Sequence, residues 1–369
     1  MSKHYITSSK QPKIIKEKNF AHPQERMLFD EKTDGYVLPG IIDVHFHGTM
    51  GWDFAFGDEE KIEEMLDGVL ASGITGLIAT VMTCPEPHFE KVLLSISNVA
   101  KNRKTLPIIH GIHLEGPFLS YKRRGAHPAE DLIHPSVDLL KKWQALANGM
   151  IKVITVAPEL PGASDLIKEA VKMGIKVSLG HSNADWKTAA HAVELGANCI
   201  THIFNALPPI HHRNPNILSY ALTDKTLYYE LIGDCEHIAP EIVQMITQAH
   251  DSGKLLIISD SMALTGLSDG WYEFYNRTLA KTKTRSRLPD GNFFGGALML
   301  PQCMNRLAKE AGISWGTIGQ SVWRNPCEFL DITAPDAEIF FDTDMNWIAT
   351  NHEGLWYTPA QQNSNKTSE

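Results

Sequence analysis

Between Val37 and Asp260 the chain alternates short β-branched runs with stretches of helical period, and this alternation restricts the fold more than any other feature. The β-rich runs are Val37–His47, Thr75–Met82, Pro107–Glu115, Ile151–Pro158, Lys176–Ser182, Cys199–Asn205, Tyr228–Asp234 and Lys254–Asp260. Helical patterns lie between most of them, near Glu59–Ala71, Glu86–Asn102, Ala163–Met173, Ala184–Leu195 and Pro240–Ser252. In the first, Ile62, Met65, Leu66, Val69 and Leu70 recur on one face. A strand followed by a helix leads back to a parallel strand, because the crossover needs room for the helix. Eight such units over roughly 250 residues have the size of a (β/α)8 TIM barrel. A doubly wound open sheet is the competing architecture, but no Gly-x-Gly-x-x-Gly follows a strand here.

The flanks read differently. Residues 1 to 36 are polar apart from patches at Ile14-Ile15 and Met27-Leu28-Phe29, and Ala337–Tyr357 again reads as short strands. Both suggest weak strands outside the main core, pairing into a small β domain of residues 1–36 with 337–360. Residues 37–336 then form the barrel unit. The polar tail 361–369 is expected to be disordered. Beyond Asp260 come Phe294-Gly295-Gly296 and helical patterns near Met299–Ala311 and Thr317–Val322.

A net charge of −9 without a long Lys/Arg run argues against a nucleic-acid surface, and no run approaches a membrane span. Cys84, Cys199, Cys235, Cys303 and Cys327 are scattered and form no Cys-x-x-Cys. That fits a reducing compartment and argues against a disulfide framework or a sulfur-ligated zinc. The lysine-rich N-terminus has no apolar core of signal-peptide length, so a cytoplasmic location is expected.

In a parallel barrel the chemistry collects at the C-terminal ends of the strands. Metal-type ligands fall at five of them: His45 and His47; His113 and Glu115; His181; His202; and Asp260. His45 and His47, two apart on a strand, face the same way. Each residue alone has an ordinary explanation, such as a core histidine, a loop acid or a helix cap. Chance would scatter them over both rims, so together they point to a divalent-metal site. His127, on the loop after Glu115, is a candidate for polarising a carbonyl or holding a substrate. Arg213 offers a planar fork suited to phosphate oxygens, and His237 can add a further donor. Lys122, Arg123 and Arg124 read as the solvated face of a mobile lid.

The constellation resembles the amidohydrolase superfamily, and within it the N-acetylglucosamine-6-phosphate deacetylases. The resemblance runs from Leu38 to Pro326 through PGIIDVHFHG, GIHLEGPFLSYKRRGAH, VAPE, GHSNAD, THIFNALPPIHHRNP, DCEHIAPEIV, ISDSMALTGLSDG and FGGALML, in the family's order. It implies that Glu115, His181 and His202 hold the essential metal and that Asp260 is the catalytic acid/base. His45 and His47 are both kept, so a second ion bridged by Glu115 is open. Zinc is the first expectation, with iron, manganese, cobalt or nickel as the other candidates, at one or two ions per subunit. The resemblance further implies substrate contacts from Ala126, His127, Asn205, Ala206, Arg213, His237, Phe294, Gly295 and Gly296. The implied partner is a small sugar phosphate, and the implied assembly is a homodimer with phosphate contacts crossing the interface. Branches that bridge two metals with a carboxylated lysine after strand four are set aside, because Val156-Ala157-Pro158-Glu159 has no lysine.

The implied reaction is hydrolysis of N-acetylglucosamine 6-phosphate to acetate and glucosamine 6-phosphate, a step of amino-sugar catabolism and recycling. The alternatives are the galacto epimer as substrate, or a barrel that binds a sugar phosphate without turnover. The sequence departs from the family in a shorter N-terminal segment and in a turn contracted to residues 331–336, which bears on the small β domain and not on the barrel.

Overall fold

The structure, a computed structural model, describes residues 28–29, 35–250, 252–274 and 277–358. Its centre is a ring of eight parallel strands: β1 (Ile42–Phe46), β2 (Gly76–Met82), β3 (Ile108–Glu115), β4 (Ile151–Val156), β5 (Lys176–Leu179), β6 (Cys199–Ile200), β7 (Tyr228–Ile232) and β8 (Leu255–Ile258). Neighbours in the chain are neighbours in the sheet. Just past β8 the ring closes on β1. The Asp260 amide donates to the His45 carbonyl (3.1 Å), the His47 amide to the Ser261 carbonyl (3.0 Å), and Ser259 Oγ to Asp43 Oδ2 (2.5 Å). The barrel expected from the alternation is therefore the architecture observed.

Between the strands run α1 (Glu59–Leu70), α2 (Glu86–Asn102), α3 (Val137–Leu146), α4 (Ala163–Lys172), α5 (Trp186–Glu194), α6 (Ile217–Thr223) and α7 (Pro240–Ala249). After β8 come α8 (Leu300–Glu310), α9 (Trp315–Val322) and α10 (Arg324–Leu330). The helices α3, α6 and α10 are absent from the sequence reading. Each is ten residues or fewer. α3 nonetheless anchors a large contact. Its Trp143 is fully buried, with ring centroids 4.7 Å from Phe89 and 5.7 Å from Phe118. Trp143→Ala should lower the unfolding free energy by about 3–5 kcal/mol through the cavity it leaves, read by denaturant titration.

The inside of the ring is apolar below and polar above. Ile42, Val44, Ile78, Val153, Cys199, Tyr228, Leu256 and Ile258 form one cluster with Phe329 and Leu330 of α10. A cluster drawing on strands from all around the ring can only lie inside it. The Phe329 ring sits 5.1 Å from that of Tyr228, at the start of β7, so α10 covers the lower end. Between Asp43 and Phe46 the register against β2 slips by one residue. This bulge lets both Val44 and His45 turn inward, Val44 into the apolar layer and His45 into the polar one above it.

Beside the two-stranded pair Gly48–Thr49 and Trp52–Asp53, two larger antiparallel sheets accompany the barrel. Leu28–Phe29, Gly35–Leu38, Glu338–Asp342, Trp347–His352 and Leu355–Tyr357 form an antiparallel sheet in that order. Val37 and Leu38 belong to this sheet rather than to the barrel strand, since the chain breaks at Pro39-Gly40, where Gly40 has φ +90°. Most of the expected N-terminal strand segment, and the whole of 361–369, lie outside the described residues. The second sheet was not anticipated. Gly270–Phe274, Arg277–Thr282, Arg285–Arg287 and Phe293–Gly296 form an antiparallel meander that follows β8 and joins it through a bridge between Ser261 and Gly296. No helix of the described residues is long and apolar enough to cross a membrane.

Candidate active site

The upper ends of the strands surround a cavity of about 480 Å3. Glu115 stands at the end of β3, and its carboxylate is the hub. Its Oε1 is 2.9 Å from His202 Nε2 and 3.1 Å from His181 Nε2, and those two nitrogens are 3.0 Å apart. Its Oε2 is 3.3 Å from His47 Nε2 and 3.4 Å from His127 Nε2. On the other side His45 Nε2 lies 3.2 Å from His47 Nε2, and Asp260 Oδ1 lies 3.4 Å and 3.2 Å from the two. All of these side chains are buried.

Three donor atoms about 3 Å apart, each carrying a lone pair toward the others, repel unless a proton or a cation stands among them. Tetrahedral zinc with N and O ligands at 2.0–2.2 Å spaces its ligands by about 3.3 Å, close to what is found. The Glu115–His181–His202 and His45–His47–Asp260 groups therefore both fit a divalent ion. The His181 ring supports this, because its Nδ1 donates to the Arg123 carbonyl (2.9 Å), leaving Nε2 unprotonated to face Glu115 and His202. Burial opposes the Asp260 charge, but the hydrogen bond from His47 and the charges of His45 and His47 outweigh it, so its pKa lies below the ordinary value.

The backbone bends sharply where these side chains leave the strands. His181, His202 and Asp260 have φ of +46°, +25° and +50°, in the left-handed region that L residues rarely adopt. Such strain persists only when surrounding contacts hold it. Asp260 shows how. Its amide donates to His45 as described, and its carbonyl accepts from the Gly296 amide at 2.7 Å. A Cβ on Gly296 would meet the Ser259 carbonyl at 2.1 Å, so this close approach requires glycine.

His127 sits on the loop after β3 and is buried. Its Nδ1 faces Thr83 Oγ1 (2.8 Å) and the Thr83 amide (3.4 Å). An amide can only donate, so Nδ1 is the acceptor and Nε2 carries the proton toward the cavity. Burial lowers its pKa to about 4, with Glu115 pulling the other way, so the ring is a neutral donor. Thr83 fixes this tautomer, and nothing in the sequence marks it. Beneath the cluster His113 is likewise neutral, its pKa depressed by burial first and by the charge of His45. It bonds Thr155 Oγ1 at 2.7 Å, and Thr155 continues to Thr201 and Ser178 as a hydroxyl floor.

The other expected residues divide. Ala126, Asn205, Ala206, His237, Phe294 and Gly295 line the cavity, while Gly296 acts from behind through the Asp260 carbonyl. His237 Nδ1 bonds Asp234 Oδ2 at 2.7 Å; burial opposes its charge, but Asp234 prevails and raises its pKa. Arg213 lies outside the lining, on an exposed stretch where Nη1 contacts His212 Nε2 at 2.7 Å. Lys122, Arg123 and Arg124 do line the cavity. Arg123 is tied to Asn183 and, through its carbonyl, to His181, so the loop is an anchored wall rather than a detached lid.

Residues 36–260 match the Amidohydrolase family. The chain is 34% identical over 323 residues to the N-acetylglucosamine-6-phosphate deacetylase of Bacillus subtilis, covering 87% of this chain and 82% of that one. It is 30% identical to the same-named protein of Bos taurus, covering 88% and 82%. Among solved structures, a mutant N-acetyl-D-glucosamine-6-phosphate deacetylase from Mycobacterium smegmatis, in complex with N-acetyl-D-glucosamine-6-phosphate, superposes with a TM-score of 0.83. It is 26% identical, over 88% of this chain and 87% of that one. The Thermotoga maritima protein of the same name gives 0.80 at 26% identity, over 94% and 92%.

Proposed function

We propose that this chain, which belongs to the amidohydrolase family, hydrolyses N-acetylglucosamine 6-phosphate to acetate and glucosamine 6-phosphate. One observation carries the reading: Glu115, His181, His202, His127 and Asp260 converge on one cavity in a chain so similar to the Bacillus subtilis deacetylase.

Amide hydrolysis in neutral water needs a better nucleophile and a better leaving group than water offers. A divalent ion held by Glu115, His181 and His202, zinc being the first candidate, would lower the pKa of a water toward ~7 and polarise the amide carbonyl. Asp260, ionised and 3.2 Å from His47, accepts the proton of the attacking water and returns it to the departing amine. His127, neutral and presenting Nε2–H, donates to the carbonyl oxygen as negative charge develops there. Asn205, Ala206, Phe294 and Gly295 supply the walls against which the sugar ring packs.

His237 is the phosphate contact within the chain, its raised pKa favouring the protonated donor beside an anion. Arg213, exposed and outside its own cavity, supports a homodimer in which it serves the neighbouring subunit's phosphate. His237→Ala should raise KM for the phosphorylated sugar about 10- to 100-fold, the worth of one charged hydrogen bond, with a smaller change in kcat. Unphosphorylated N-acetylglucosamine should not register the substitution. A cytoplasmic location suits both the scattered free cysteines and a phosphorylated substrate.

The deciding experiment is acetate release by metal-loaded protein from N-acetylglucosamine 6-phosphate and its galacto epimer, side by side. The expected result is turnover of the gluco substrate with the higher kcat/KM. A folded, metal-loaded protein that binds the sugar phosphate and releases no acetate would overturn the reading.

A further inference from the structure

We infer that Glu230 is the positioning carboxylate that makes His45 a metal ligand, and so enables the His45–His47–Asp260 half of the site to hold a second divalent ion. The inference extends the metallohydrolase reading above and rests on it.

Glu230 lies in the middle of β7, inside the barrel and fully buried. Its Oε2 accepts from His45 Nδ1 at 2.9 Å and from the backbone amide of His202 at 3.2 Å. An imidazole presents a lone pair at Nε2 only when the proton sits on Nδ1. Glu230 therefore decides which way His45 faces chemically. With Nδ1–H committed to Glu230, the lone pair of Nε2 points at His47 Nε2, Asp260 Oδ1 and Glu115 Oε1, at 3.2, 3.4 and 3.5 Å.

His45 is singular among the four histidines of the cluster. His181 is backed by a carbonyl, and among the described residues Nδ1 of His47 and of His202 has no hydrogen-bond partner. Among the described residues only His45 of these four has a carboxylate behind its ring, which fixes the ring's orientation and leaves Nε2 to face the other donors. Glu230 also holds the amide of His202, so one carboxylate braces a ligand from each half.

The test is zinc titration of the full-length protein, with ions per chain by elemental analysis and both affinities by calorimetry. The wild type should take two ions. Glu230→Gln keeps the packing and removes the charge; it should retain the tighter ion and bind the second about 10- to 100-fold more weakly. His45→Ala should weaken the second ion as well, and adding Glu230→Gln to it should weaken that ion no further. Cobalt substitution provides a second readout, in which Glu230→Gln removes the absorption of one of two centres. A wild type that binds only one ion, an unchanged second affinity in Glu230→Gln, or equal weakening of both ions would each overturn the inference. Acetate release, measured separately, tests the deacetylase reading: a two-ion protein that turns nothing over would sink that reading and leave this one standing.

Discussion

Asp260→Asn should yield a folded protein that still binds metal through Glu115, His181 and His202, yet releases acetate about 100 to 10,000 times more slowly than the wild type. The amide matches the carboxylate in shape and can keep the contact with His47, so the backbone at φ +50° and the ring closure beside it are retained. What it loses is the ability to take a proton from water and deliver it to the amine. The loss should therefore fall on kcat, with KM for the sugar phosphate changed little. Acetate release and metal content on one sample check this. A variant with full metal and wild-type kcat would remove Asp260 from the chemistry.

Glu115→Gln should be more severe, because it takes away the hub. Among the described residues Glu115 is the one carboxylate within 3.5 Å of all five histidines, His45, His47, His127, His181 and His202. Burial opposes its charge, but His45 and the hydrogen bond from His127 hold its pKa well below the ordinary value. The amide neutralises that charge and turns an NH2 toward nitrogens that must donate lone pairs. Metal affinity should fall by at least about 100-fold, the upper end of what supporting residues alone are worth. Turnover should fall with it and return in part when excess divalent metal is added. Retention of tight metal by Glu115→Gln would show that the hub is dispensable and would redraw the site.

How far these residues could be found from the chain alone follows from the kind of signal each leaves. The barrel was legible because burial on both faces forces parallel strands into short apolar runs, while crossover helices keep a 3.6-residue period. Glu115, His181, His202 and Asp260 were legible because a ligand at a strand end sits at a predictable place in that rhythm. α3 is absent from the sequence reading although its buried face carries Leu140 and Trp143, about one turn apart. So is the meander of 270–296. Its first strand, Gly270–Phe274, is largely exposed and carries no alternation to read.

The identity and order of the chemical groups were determined by the sequence itself: eight strand–helix units, imidazoles and carboxylates on one rim, and no Cys-x-x-Cys. Which atoms meet was decided only by the tertiary structure. His45 and Glu230 are 185 residues apart and become partners because β1 and β7 face the same interior. The bulge that turns His45 inward, the Thr83 contact that sets the His127 proton, and the exclusion of Arg213 from its own cavity are likewise products of packing. The physical reason is range. Strand and helix rhythms arise from neighbours a few residues away, whereas a tautomer, a hydrogen bond or a metal-sized gap depends on tenths of an ångström between segments that meet only when the ring closes.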